Sequence, residues 1–130
     1  MTAYLLGIDV GTTGSKALLV DANGAVTASA TTEYPMFNPQ PLWSEQDPAD
    51  WWSATVARIQ QVLEQGGVTA DKVAGIGLTG QMHGLVLLDA QGEVLRPCIM
   101  WNDQRTAAQC AAITQKVGAE NVLRLTGNPV

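Results

Sequence analysis

Two short apolar runs, Leu5-Leu6-Gly7-Ile8 and Ala17-Leu18-Leu19-Val20, flank the octet Asp9-Val10-Gly11-Thr12-Thr13-Gly14-Ser15-Lys16. Runs of that length, broken by glycine and followed so closely by another, fit buried strands joined by a tight hairpin. The octet itself has chemistry. Gly11 and Gly14 can take positive φ and let backbone amides approach a ligand, and Thr12, Thr13 and Ser15 add hydroxyls around the same concavity. Asp9, at the end of the first strand, suits a hard cation such as Mg2+, held directly or through water. Lys16 adds positive charge. An ordinary Gly-rich turn is the bland alternative. A Walker A loop is excluded, because Lys16 follows Ser15 and opens a strand rather than a helix.

The rest of the chain reads as one α/β domain. A turn at Asp21-Ala22-Asn23-Gly24 leads into a third antiparallel strand over 25–32, and the Pro-rich stretch from Pro35 to Trp43 is a surface connection. Asp47 caps a helix with Pro48 at its first position; Trp52, Val56, Ile59 and Leu63 form its packing face, and Gly66-Gly67 ends it. A buried strand over 73–79 follows, running parallel to the first. It contains Gly75-Ile76-Gly77-Leu78-Thr79-Gly80, the letters of a dinucleotide fingerprint, but two of these glycines lie within the strand and no helix comes next. A hairpin is expected from 85–89 and 93–95. A last helix begins at Asn102 or Asp103, buries Cys110, Ile113 and Val117, and stops at Gly118.

Gly80-Gln81-Met82-His83-Gly84 forms a turn just past a strand's carboxyl end, where ligands commonly bind. His83 is the sole histidine; taken alone it suits a loop hydrogen bond as well as a ligand. Trp101 suits a core position, or an aromatic wall against the C–H face of a polyol whose hydroxyls need partners such as Asn102 and Asp103.

Composition removes whole classes of function. Of 130 residues, 46% are hydrophobic and 15% charged, an ordinary globular balance, and the net charge of -5 supplies no basic stripe for nucleic acid. No segment is long enough to span a bilayer, and the amino end lacks the basic region of a signal peptide. Cys98 and Cys110 suit reduced packing residues, so the cytoplasm is the expected compartment.

Four blocks carry a resemblance: Gly7 through Lys16, Leu42-Trp43-Ser44-Glu45-Gln46-Asp47-Pro48 with Trp51-Trp52, Gly80 through Gly84, and Trp101-Asn102-Asp103-Gln104-Arg105. In this order the chain resembles the amino-terminal part of the FGGY-family carbohydrate kinases, most closely their xylulokinase branch. The resemblance implies a ribonuclease-H-like fold of the actin and hexokinase type, incomplete here, with 1–130 as a truncated N-terminal domain whose nucleotide lobe lies elsewhere. It implies ATP and Mg2+ as cofactors and D-xylulose as the sugar, phosphorylated to D-xylulose 5-phosphate. Asp9 would place the metal and phosphoryl group; Gly11, Thr12, Thr13 and Lys16 would hold phosphate; and Gln81, Met82, His83, Trp101 and Asp103 would form the sugar site. Glycerol kinases carry Arg-Glu where this chain has Met82-His83, which disfavours glycerol. The family's general base lies beyond Val130, so the isolated chain is expected to be inactive. A kinase for ribulose, or a non-catalytic binding module on the same fold, is the alternative. An unfinished sheet would expose an edge, and a homodimer is expected from it.

Overall fold

The computed structural model describes residues 3–130. Strands β1 (Tyr4–Val10) and β2 (Gly14–Val20) form the expected hairpin, with Leu6 opposite Leu19 and Asp9 opposite Lys16. The Gly11 amide closes its loop on the Gly14 carbonyl at 3.0 Å. The next turn is built by Asp21, whose Oδ1 accepts from the Asn23 and Ala25 amides, with Gly24 at φ 85°. It delivers β3 (Val26–Glu33), antiparallel to β2.

Strand periodicity decides which face is covered. Leu6, Ile8, Ala17, Leu19, Ala28 and Ala30 all point to one side and are buried there. Helix α1 (Pro48–Gly66) lies over them. Its caps are those the sequence announces: Asp47 accepts from the Ala49 amide, Pro48 opens the first turn, and Gly67 ends it at φ 61°. The packing face keeps Ile59 and Leu63 of the expected set but not Trp52. Trp52 is 73% exposed, and the buried positions are Ala54 and Val62, with Ile59 and Leu63 partly covered. Small residues win because the helix sits close: a Cβ on Gly66 would lie 2.6 Å from Leu19 Cδ2. Ser15, fully buried on β2, meets Thr55 of α1 by a hydroxyl pair at 2.9 Å.

Strand β5 (Val73–Gly80) pairs parallel to β1, giving the sheet order β3-β2-β1-β5. The glycines of the false fingerprint all lie within it. The expectation that β5 is buried is not met: Ile76 and Leu78 are 65% and 73% exposed. They sit beside Leu6 and Ile8 in register, but α1 packs on β1, β2 and β3 and leaves this edge strand uncovered.

The expected hairpin over 85–95 forms as a short one, with the Leu95 amide donating to the Leu87 carbonyl and the Asp89 amide to the Glu93 carbonyl, both at 2.9 Å. Asp89 Oδ1 accepts from the Gln91 and Glu93 amides, Gly92 takes φ 86°, and Leu88 bridges Val94, but no longer ladder forms. Its leucines and valines have no second layer to pack on. A small sheet that the sequence did not suggest joins β4 (Glu45–Gln46) to β6 (Cys98–Ile99). Helix α2 (Ala107–Val117) starts later than expected because Asp103 is committed elsewhere, and Ile113 and Val117 are exposed rather than buried. Gly118 does end it, and α3 (Ala119–Thr126) follows, burying Val122.

Candidate active site

The face of the sheet away from α1 carries a polar row. Register places Lys16 of β2, Asp9 of β1 and Thr79 of β5 side by side on three adjacent strands. A cleft there is lined by Gly7, Asp9, Lys16, Leu18, Gly77 and Thr79. Gly7 and Gly77, opposite each other, leave its floor free of side chains. Asp9 and Lys16 are exposed, and neither is ion-paired among the described residues. Opposite charges held on a rigid sheet without internal partners are available to a ligand.

The loop above this row is held from three sides. The Tyr34 hydroxyl donates to the Gly11 carbonyl, and the Tyr34 amide donates to the Thr13 carbonyl at 3.3 Å. Burial pushes the Tyr34 phenol up from its ordinary value, and the Asp9 charge pushes it the same way, so it stays protonated as a donor. The Thr12 carbonyl accepts from Gln46 Nε2 at 2.8 Å, and the Thr12 hydroxyl accepts from the Trp101 indole at 3.0 Å. Since the indole N–H is a donor only, the Thr12 hydroxyl hydrogen stays free to donate.

The turn at 80–84 is attached to the same strand end. The Gln81 amide donates to the Val10 carbonyl at 2.9 Å, and a Cβ on Gly80 would lie 2.9 Å from that oxygen. His83 takes φ 67°, a left-handed conformation that few residues other than glycine adopt. Gly84 fits against Cys98, whose Sγ would be 3.0 Å from an added Cβ. With its neighbours anchored, the turn presents Met82 and His83 exposed, and Trp101 is 56% exposed above Thr12. The structure thus gathers the Gly11–Gly14 loop, Gln81 and Trp101 around one strand end.

The Asp103 carboxylate is engaged by internal partners. Its Oδ1 accepts from the Arg105 amide and Nε, and its Oδ2 from Arg105 Nη2 and the Ser44 amide, at 2.7 to 2.9 Å. The side chain is 2% exposed. Arg105 also pairs with Glu45 at 2.7 Å and stacks on Trp43 at 3.7 Å, while Arg96 reaches Glu45 from the other side. Asp103 therefore pins the 43–46 segment to the Trp101 turn. Tyr34, Gln46 and Thr79 were not singled out from sequence; their contacts are long-range and leave no local pattern.

The Arg105 guanidinium holds the Asp103 carboxyl well below the usual carboxylate range, aided by the Ser44 amide and opposed by burial. A carboxylate whose folded-state pKa is depressed adds stability above its unfolded value, and that stability drains away as pH falls toward the folded value. Asp103→Asn should therefore flatten the loss of stability that the wild type shows below about pH 4. Denaturant melts across pH 2.5–7 check it, the two curves converging at the acid end.

The sheet, its crossover helix and its polar loops define an α/β domain of the actin and hexokinase type. The model of the FGGY family of carbohydrate kinases, N-terminal domain, matches residues 4–130, and the chain belongs to that family. It is 42% identical over 127 residues to the xylulose kinase of Bacillus subtilis, covering 98% of this chain and 25% of that protein. A glycerol kinase of Marinomonas sp. is 38% identical over 128 residues, covering 98% of the chain and 26% of the relative. Among solved structures, one described as a xyloylose kinase from Brucella ovis superposes with a TM-score of 0.88 at 42% identity, covering 96% of this chain and 26% of that one. The chain thus spans about a quarter of the length of the curated relatives it matches. Kinases of this family use ATP. No helix among the described residues is long and apolar enough to cross a membrane.

Proposed function

We propose that this chain is the sugar-and-phosphate part of an ATP-dependent xylulokinase, which transfers the γ-phosphoryl group to D-xylulose and yields D-xylulose 5-phosphate. The observation that carries the reading is the attachment of the phosphate loop and the 80–84 turn to one strand end, through Val10, Gln46 and Trp101. Phosphoryl transfer depends on alignment and charge neutralisation more than on covalent help, and this arrangement supplies both.

In this reading the Gly11, Thr12 and Thr13 segment holds phosphate oxygens through backbone amides and the free Thr12 hydroxyl, with Lys16 adding charge. Mg2+ fits the donor set in one mode. Among the described residues no group of three His, Cys, Asp or Glu side chains could enclose a metal, but Mg2+ bound to substrate phosphates takes one or two carboxylates and keeps several waters. Asp9 serves that purpose, directly or through water. The ion would neutralise charge developing on the phosphoryl oxygens. Gln81, Met82 and His83 contact the sugar, Trp101 offers its ring to a C–H face, and Asp103 acts at one remove by fixing the turn that carries Trp101. The resemblance assigns the base that takes the hydroxyl proton to sequence outside these 130 residues, so the chain alone should turn over no substrate. A cytoplasmic setting suits ATP and a sugar, and the uncovered edge of β5 supports pairing between copies.

A coupled ADP-release assay on the product of the full reading frame, with xylulose, ribulose and glycerol in parallel, tests the reading. Xylulose should give the highest kcat/KM. Glycerol is included because a glycerol kinase lies among the relatives, and a preference for it would overturn the sugar assignment. His83→Ala should raise the KM for xylulose about tenfold or more while leaving that for ATP within about twofold, as expected for loss of a hydrogen-bonding group to one substrate. Equal weakening of both would move His83 out of the sugar site.

A further inference from the structure

Gln46 is fully buried and belongs to none of the groups assigned above to phosphate or sugar. Its carboxamide nevertheless joins three separate parts of the site. Nε2 donates to the Thr12 carbonyl at 2.8 Å, while Oε1 accepts from the Trp51 indole at 3.0 Å and from Gln81 Nε2 at 3.3 Å. An indole N–H only donates and a carbonyl only accepts, so these partners fix which way the Gln46 amide faces.

That orientation dictates the next amide. Only the Nε2 of Gln81 can face Gln46 Oε1, and Gln81 Oε1 is left buried with no partner among the described residues. Turning the Gln81 amide over would set two carbonyl oxygens against each other. The Gln46 side chain thus keeps the 80–84 turn bonded, through one carboxamide, to the carbonyl of Thr12.

We infer that Gln46 is a positioning residue that fixes the spacing between the phosphate loop and the sugar turn, holding phosphoryl donor and sugar hydroxyl in line for transfer. The inference rests on the kinase reading above. A residue that merely filled buried space would affect stability alone.

Two variants separate these cases. Gln46→Met keeps length and removes all three bonds. Gln46→Glu keeps an acceptor for Trp51 and Gln81 but cannot donate to Thr12. Both are made in the product of the full reading frame, with Val62→Ala, in the α1 core, as a destabilised comparison. Displacing reactants by a fraction of an ångström to one ångström costs up to about a hundredfold in rate, so Gln46→Met should lower kcat about thirtyfold or more per folded molecule, with each KM within about threefold. Val62→Ala should lose thermal stability with kcat per folded molecule preserved. A kcat for Gln46→Met within about twofold of wild type would overturn the inference.

Amide hydrogen exchange gives a readout that does not need turnover. In Gln46→Met the amides of Gly11 and Gln81, which bond to Gly14 and Val10, should exchange faster together, relative to the β1–β2 ladder. In Gln46→Glu the Gly11 amide should rise more than that of Gln81. Acceleration confined to one loop in Gln46→Met, or matching that of the whole sheet, would show that the two loops are not joined through this residue. Failure of the kinase reading alone would instead appear as a wild-type protein without sugar-dependent ADP release but with the paired exchange effect intact.

Discussion

On the kinase reading, Asp9→Asn made in the product of the full reading frame should cut phosphoryl transfer by about 10²- to 10³-fold while leaving the protein folded, the scale seen when one preorganised electrostatic partner of a transition state is removed. The substitution keeps the shape of the side chain and deletes its charge. Asp9 is exposed on the polar row between Lys16 and Thr79 and makes no ion pair among the described residues, so little internal structure depends on it. Thermal stability should stay within the roughly 0.5 kcal/mol typical of surface changes. An independent sign is available at Tyr34. Because the Asp9 charge helps to raise that phenol, its titration should move downward in the variant, yet stay above the ordinary tyrosine value because burial, the larger cause, persists. Unchanged turnover with a lowered Tyr34 titration would mean that the charge is felt by the loop but not by the reaction. In that event the metal-placing role would pass to another group.

The parts of this fold legible in the sequence are those whose causes are local. The β1–β2 hairpin follows from two apolar runs and the glycines between them. Helix α1 follows from Asp47, Pro48 and Gly67, each acting on its own backbone neighbours. Burial is another matter, since it depends on what covers a residue. Ile76 and Leu78 read as core but are exposed on the uncovered edge strand β5, and Trp52 reads as packing but yields to Ala54, because only a small residue lets α1 approach this closely. The site shows the same division. Asp9 lies near the end of β1, and the Gly11–Thr13 loop and Gln81–His83 lie on turns; these elements announce themselves. Asp103 matched a family block but is spent on Arg105 and Ser44, and its bond to Ser44 spans 59 positions. Tyr34 and Gln46 reach the loop across 23 and 34 positions, distances at which no spacing rule operates.

The contact between Leu19 and Gly66 supplies the largest expected effect on stability. Leu19 is fully buried in the core under α1, and truncating it to alanine should cost about 3 kcal/mol, the middle of the range for large-to-small changes at buried sites. Gly66→Ala alone would place a methyl carbon 2.6 Å from Leu19 Cδ2, forcing that side chain to shift, although alanine is the better helix former. The two changes should not add. Removing the Leu19 methyls vacates the space that the methyl introduced by Gly66→Ala needs, so the double variant should be more stable than Leu19→Ala alone, by about 1 kcal/mol from helix propensity and partial filling of the cavity. Urea titrations of the four proteins in the cycle measure it. Additive losses would mean that α1 does not rest on β2 through this pair. On the kinase reading, turnover per folded molecule of the same variants in the product of the full reading frame should be unaffected, since Leu19 faces α1 and the polar row of Lys16, Asp9 and Thr79 faces the other way. The sheet thereby separates what holds the domain together from what would act on a ligand.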